Sequence, residues 1–202
     1  MKKTNQPLCG FSKRDAYPFT PLFTGRKIFS HTLILMALIA VLTLPTSCKK
    51  DKDTPSTLNT QDRAFFDSAA VSNLFEIELS NLALTKAQNA SVKQYGQQMV
   101  NDHTLQTANL RQLASSKGVT LPTALPPAKQ NLRSQLAGLS GTQFDSVYMN
   151  IQVISHQQTV INFQAEINNG QDADVKNFAS TNLPAIQHHL EMAEDLTESL
   201  DF

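Results

Sequence analysis

The chain has 202 residues with 17 basic and 17 acidic side chains, a balance that argues against the strongly basic surface of a nucleic-acid-binding domain. The charges are unevenly placed: six basic residues but one acid, Asp15, precede Cys48, which leaves 11 basic and 16 acidic residues beyond it. That acidic remainder excludes a sequence-independent grip on phosphates.

The N-terminal part reads as a targeting segment. Arg26 and Lys27 precede an apolar run from Leu33 to Leu44 that is too short for a lasting membrane span, which needs about 20 residues. Leu44-Pro45-Thr46-Ser47-Cys48 follows and resembles a bacterial lipobox, with Pro45 where a Leu or Ala is more usual. Residues 1–47 are therefore expected to be a lipoprotein signal peptide and Cys48 the lipidated first residue of the mature chain. Cys9 leaves with the leader, so the mature chain has no disulfide available. Residues 48–59 are charged, polar and Pro-containing, as suits a flexible tether between lipid and domain.

Residues 60–202 form one helical domain in this reading. A first helix is expected from Thr60 as N-cap to about Gln88. Phe66, Ala70, Leu74, Ile77 and Leu84 make its apolar stripe, and Ala69, Ser72, Glu76, Ser80, Ala83 and Ala87 make a second face of mostly small residues. Asn89 caps a second helix with Val92, Gly96, Met99, His103, Leu110 and Leu113 inward, ending at Lys117-Gly118. The stretch Val119–Gly141 carries Leu121-Pro122, Pro126-Pro127 and a short amphipathic piece from Lys129 to Leu139, long enough to cross the bundle. A third long helix runs from about Thr142 to Asn168 with Phe144, Tyr148, Met149, Val153, His156, Val160 and Phe163 inward. The fourth runs from about Asp172 to Ser199 with Val175, Phe178, Ile186, His189, Ala193 and Leu196 inward, and Pro184 is expected to kink it. Two tight hairpins and one long crossover predict an all-α, ferritin-like four-helix bundle whose middle connection carries a short extra helix.

The chemistry-bearing residues lie on these helices. Glu76 and His103 stand about equally far from the first hairpin and so share a level, whereas His156 and His189 are offset about the second by roughly one turn. One ionisable group per helix at mid-height is how such bundles build metal sites, and imidazole with carboxylate suits zinc, iron or copper. The candidate ligands are Glu76, His103, His156 and His189, supported by Asp102, Tyr148 and Asp145. The Glu-x-x-His pairs of di-iron bundles are absent, as are a nucleophile elbow and a reactive thiol, so no catalytic motif is present and a non-enzyme is favoured. The competing reading makes the same polar groups hydrogen-bonded core residues that hold helix register.

Glu76-Ile77-Glu78-Leu79, Met99-Val100 with Asp102-His103-Thr104, Leu121-Pro122, Phe144-Asp145 with Tyr148, Gln152-Val153 with His156, and Leu183-Pro184 with His189-Leu190 occur in this order. In combination they resemble domain-of-unknown-function family 4142, over about residues 61–197. The resemblance implies a ferritin-like helical bundle, an outer-membrane label without a β-barrel, and Glu76, Asp102, His103, Asp145, His156 and His189 as characteristic polar positions. No activity comes with it. The expected protein is a lipid-anchored envelope protein, periplasmic or surface-exposed, whose bundle binds a metal or small ligand or a protein partner. The alternative is a structural or stress-related envelope protein without a ligand. Nucleic acid is not an expected partner.

Overall fold

A computed structural model describes residues 57–200, so the expected leader, Cys48 and most of the tether lie outside the described residues. Five helices follow one another: α1 (Thr60–Lys86), α2 (Ala90–Ser116), α3 (Pro127–Ala137), α4 (Gly141–Asn169) and α5 (Ala173–Ser199). The four long helices form the bundle, with α1 packed on α2 and α4, α5 packed on α4 and α2, and the short α3 laid against α1 and α4. No strand occurs among the described residues, and none of their helices is long and apolar enough to cross a membrane.

The helix ends follow the capping residues. Asn59, one residue before the expected Thr60, caps α1: its side chain accepts from the Asp62 amide at 2.8 Å while Asp62 accepts from the Asn59 amide at 2.7 Å. Asn89 and Asp172 cap α2 and α5. Gly118, at φ 67°, ends α2 in a left-handed turn that other residues adopt at a cost. α5 continues unbroken through the expected kink at Pro184, which sits inside the helix on an exposed face.

Two carboxylates tie the hairpins together reciprocally. Asp62, in the first turn of α1, accepts from the amides of Gln171 and Asp172 in the α4–α5 connection at 2.9 and 3.2 Å. Asp145, near the start of α4, accepts from Gln88 and Asn89 in the α1–α2 connection at 3.0 and 2.8 Å. Each hairpin loop thus rests on a buried acid from the other hairpin, a symmetry that no repeat in the sequence announces. Asp145 is thereby removed from the expected ligand support: it lies 11 residues from His156 along α4, about 16 Å of helix, with its oxygens committed to loop amides.

Both expected faces of α1 are used. Phe66 and Ala70 of the apolar stripe and Ala69, Glu76, Ser80, Ala83 and Ala87 of the small-residue face are buried, while Leu74, Ile77, Leu84 and Ser72 are half-buried. Small residues let α2 come close: a Cβ added at Gly96 would meet the Ala83 Cβ at 3.0 Å. Leu74 and Ile77 instead face the crossover, where they share a cleft with Leu121 and Pro122. Glu78, opposite α3, pairs with Arg133 at 2.6 Å, and the Lys129 ammonium lies 3.9 Å from the Phe75 ring centre, so α3 is fastened to α1 by both charge and ring.

The apolar core comes in two clusters. One contains Phe75, Leu79, Tyr95, Met99, Phe144, Tyr148 and Ala193. The other contains Phe65, Phe66, Leu110, Phe163, Phe178 and Ile186. On each long helix a polar residue lies between members of the two clusters: Asn73, His103, His156 and His189.

Replacing Asp145 by Ala leaves the part-buried Gln88 and Asn89 amides without this acceptor and is expected to lower stability by roughly 1–3 kcal/mol, read from denaturant unfolding. Glu166, fully buried near Asp62, has its carboxyl pushed up to about 7, by burial first and then by the neighbouring Asp62. Its folded form therefore binds the proton more tightly than the unfolded chain, and its contribution declines as pH rises from about 4.5 through 7. Glu166→Gln, which keeps a donor at that position, is expected to match the parent at low pH and to exceed it by roughly 1–3 kcal/mol at alkaline pH.

Candidate metal centre

Three imidazoles meet at the polar layer. His103 comes from α2, His156 from α4 and His189 from α5; each is 1–2 % exposed. Their ring centres are 5.4–5.7 Å apart. One ring nitrogen from each lies within 4.8 Å of those of the other two.

The offset expected between His156 and His189 closes for a geometric reason. Side chains on a helix lean toward its N-terminus. On α4 that direction leads away from the second hairpin and on α5 toward it, so the nearer His156 and the farther His189 lean to a common height.

Each ring is held by one nitrogen and turns the other inward. His103 Nδ1 is 2.9 Å from Asn73 Oδ1, an acceptor, so Nδ1 carries the proton and Nε2 the lone pair. His156 Nδ1 donates to the Gln152 carbonyl at 2.9 Å and likewise leaves Nε2 as the acceptor. His189 uses its other edge: Nε2 donates to the Asp102 carboxylate at 2.9 Å, which leaves the lone pair on Nδ1. The three remaining nitrogens, His103 Nε2, His156 Nε2 and His189 Nδ1, are buried and have no hydrogen-bond partner among the described residues.

The surroundings disfavour the charged form of two of the rings, His103 and His189. Burial holds His103 well below the usual histidine range, with the rings of His156 and His189 adding to the effect. His189 is pushed down to about 4 by burial and then His156, while Asp102 pulls the other way. Burial pushes the Glu76 carboxyl up, and His156, the Gln152 amide and Lys129 offset this in part.

The other candidates fall around this centre. Glu76 is buried beside His156, with Oε2 unbonded, but stands outside the cluster of three ligand nitrogens. His103 is bonded instead to Asn73, three residues earlier on α1. Asp102 lies on the outer face of α2 and reaches across to α5, as its roughly 100° displacement from His103 around the helix requires. Tyr148 is not at the imidazoles: its hydroxyl shares a 2.9 Å hydrogen bond with Ser80, and its ring stacks on Phe144. His188 is exposed, 3.8 Å from Glu191. Sequence reasoning passed over Asn73, although it stands about as far from the first hairpin as His103 does, and it quoted Gln152 beside His156 without giving it a role. Gln152 accepts from Tyr95 through its side chain and holds His156 through its carbonyl.

In the metal-free protein, the unfolded chain takes up protons on His103 and His189 below about pH 6.5 while the folded rings of these two residues resist them. Stability from this source is present above that pH and is lost as pH falls toward 4. Denaturant unfolding in the presence of a chelator is expected to show a shallower loss over this window for His189→Gln than for the parent.

The bundle is similar to several solved structures. A DUF305 fragment from Deinococcus radiodurans aligns with TM-score 0.63 at 12% identity, covering 70% of this chain and 98% of the other. A DUF305 protein from Streptomyces coelicolor aligns at 0.58 and 13%, covering 67% and 91%. CopM in its Cu(II)-bound form aligns at 0.55 and 11%, covering 69% and 97%. At these identities the likeness is one of fold. No curated protein matches the chain. The model of the family described as "Domain of unknown function (DUF4142)" matches residues 48–196, and the chain belongs to that family.

Proposed function

We propose that the protein binds one first-row transition-metal ion, copper foremost, through His103, His156 and His189. One observation carries this reading: three buried ring nitrogens from three helices converge, each free while its ring's other nitrogen is held by a defined partner. Metal-binding histidines typically show this arrangement, because the outer hydrogen bond fixes the tautomer and the ring angle. As core residues alone they would leave three acceptors desolvated and unpaired, at a cost of about 1–3 kcal/mol each.

The donor set fits such an ion. Neutral imidazoles suit copper, zinc, iron and nickel, and in a set of this kind divalent copper has the highest affinity of the first-row ions. Ligand bonds of about 2.0 Å place tetrahedral nitrogens about 3.3 Å apart, so the cluster closes on an ion with small side-chain rotations. Glu76 stands beside His156 but outside the set of three ligand nitrogens. The Cu(II)-bound form of CopM supports the choice of metal by its shared fold alone.

The sequence features before residue 57 favour delivery of this domain to the cell envelope, with acylated Cys48 as its membrane anchor. Metabolic labelling with a fatty-acid analogue is expected to mark the parent and not Cys48→Ala.

Elemental analysis of protein purified without a metal-binding tag and titrated with Cu(II) and Zn(II) tests the centre. One equivalent is expected, with tightest retention for copper. His103→Ala and His156→Ala should abolish it in variants that retain their helical circular dichroism, and Asp145→Asn should leave it intact. A parent that stays empty with every ion would sink the reading and favour the purely structural role of the polar layer.

A further inference from the structure

The bundle closes unevenly around the three imidazoles. On one side the layer is sealed by buried Asn73 and Glu76 of α1 and Gln152 of α4. On the other, a groove of about 220 Å³ opens between α2 and α5, and both His103 and His189 lie on its wall. His156 does not. Asp102, Gln106 and Ala185 also line this groove, and through Asn109 and Asn182 it adjoins a second, more open cleft of about 450 Å³. Asp102 has its side chain 46% exposed while its carboxylate bonds His189 Nε2, so the one charged wall residue links solvent to the buried ring.

Resting on the metal reading above, we propose that the ion keeps one coordination position toward the α2–α5 groove, taken by water and replaceable by a small anion, and that the ion itself enters and leaves by this route. Three protein ligands with an open fourth position characterise exchangeable or reactive sites, whereas structural sites are closed by four. Charge points the same way. A divalent ion among three neutral imidazoles is a poorly compensated buried charge, and an anion in the fourth position reduces it. The groove supplies the uncharged amides of Gln106, Asn109 and Asn182 as hydrogen-bonding walls and Asp102 as an attractive charge for the arriving cation.

The experiment uses Cu(II)-loaded protein with azide as the small anion, followed by stopped-flow uptake of Cu(II). Azide is expected to generate a new charge-transfer absorption that saturates at one azide per copper. Ala185→Trp and, separately, Leu105→Trp place a large ring on the groove wall at exposed positions that bind nothing in the centre. Either is expected to slow copper uptake about tenfold and to weaken azide binding while one equivalent of copper is still held at equilibrium. Full copper binding with no azide absorption, or uptake at the parent rate in both Trp variants, would overturn the groove assignment and leave the metal centre standing. A parent that binds no copper would overturn both.

Discussion

Six polar side chains share the middle of this bundle, and the way each is restrained governs the rest of the structure. Buried polar groups without partners are costly, so a helical core normally excludes them or satisfies them completely. Here the satisfaction is half complete by design of the fold: the outward nitrogen of every imidazole is bonded to Asn73, to the Gln152 carbonyl or to Asp102, and the inward nitrogen is not. The layer divides the apolar interior into two clusters, each dense with aromatic rings, that carry the folding energy on either side of it.

Holding such a layer in register requires rigid ends, and the reciprocal carboxylates provide them. Asp62 and Asp145 each grip the loop of the opposite hairpin, so neither hairpin slides along the other without breaking charge-assisted hydrogen bonds. Lys117 adds a clamp between the end of α2 and the start of α5 through Asp172 and Asp174, at 2.9 and 2.6 Å. This matters most for α2 and α5, which flank the groove and contribute two of the three imidazoles. The fold therefore combines three fixed imidazoles with a groove on one side, the combination that the proposed metal site needs for loading and unloading.

Helix-level features were legible in the sequence because they arise from local chemistry. Asn89, Asp172 and Gly118 mark helix ends through their own backbone and side-chain preferences, and the 3.6-residue spacing of apolar positions identified four long helices with one long crossover. The three core histidines stood out for the same reason, as polar residues on apolar stripes. How deeply each part of the two α1 faces is buried was not legible, because a small-residue face and an apolar stripe share one helix. The outcome depends on α2 approaching Gly96 closely and on the crossover covering Leu74 and Ile77.

By itself, then, the sequence determined the all-α class, the helix order, the family and the presence of His103, His156 and His189 at mid-bundle, all properties set by neighbours within a few turns. Only the tertiary structure decided what those residues do together. The lean of side chains on antiparallel helices brought His156 and His189 level, and Asn73 rather than Glu76 took His103. Asp145 was assigned to a loop instead of the centre, and Asp102 was placed at the mouth of the groove beside His189. These pairings join residues 30 to 87 positions apart, and no local preference encodes a contact between groups whose distance is fixed only when four helices pack.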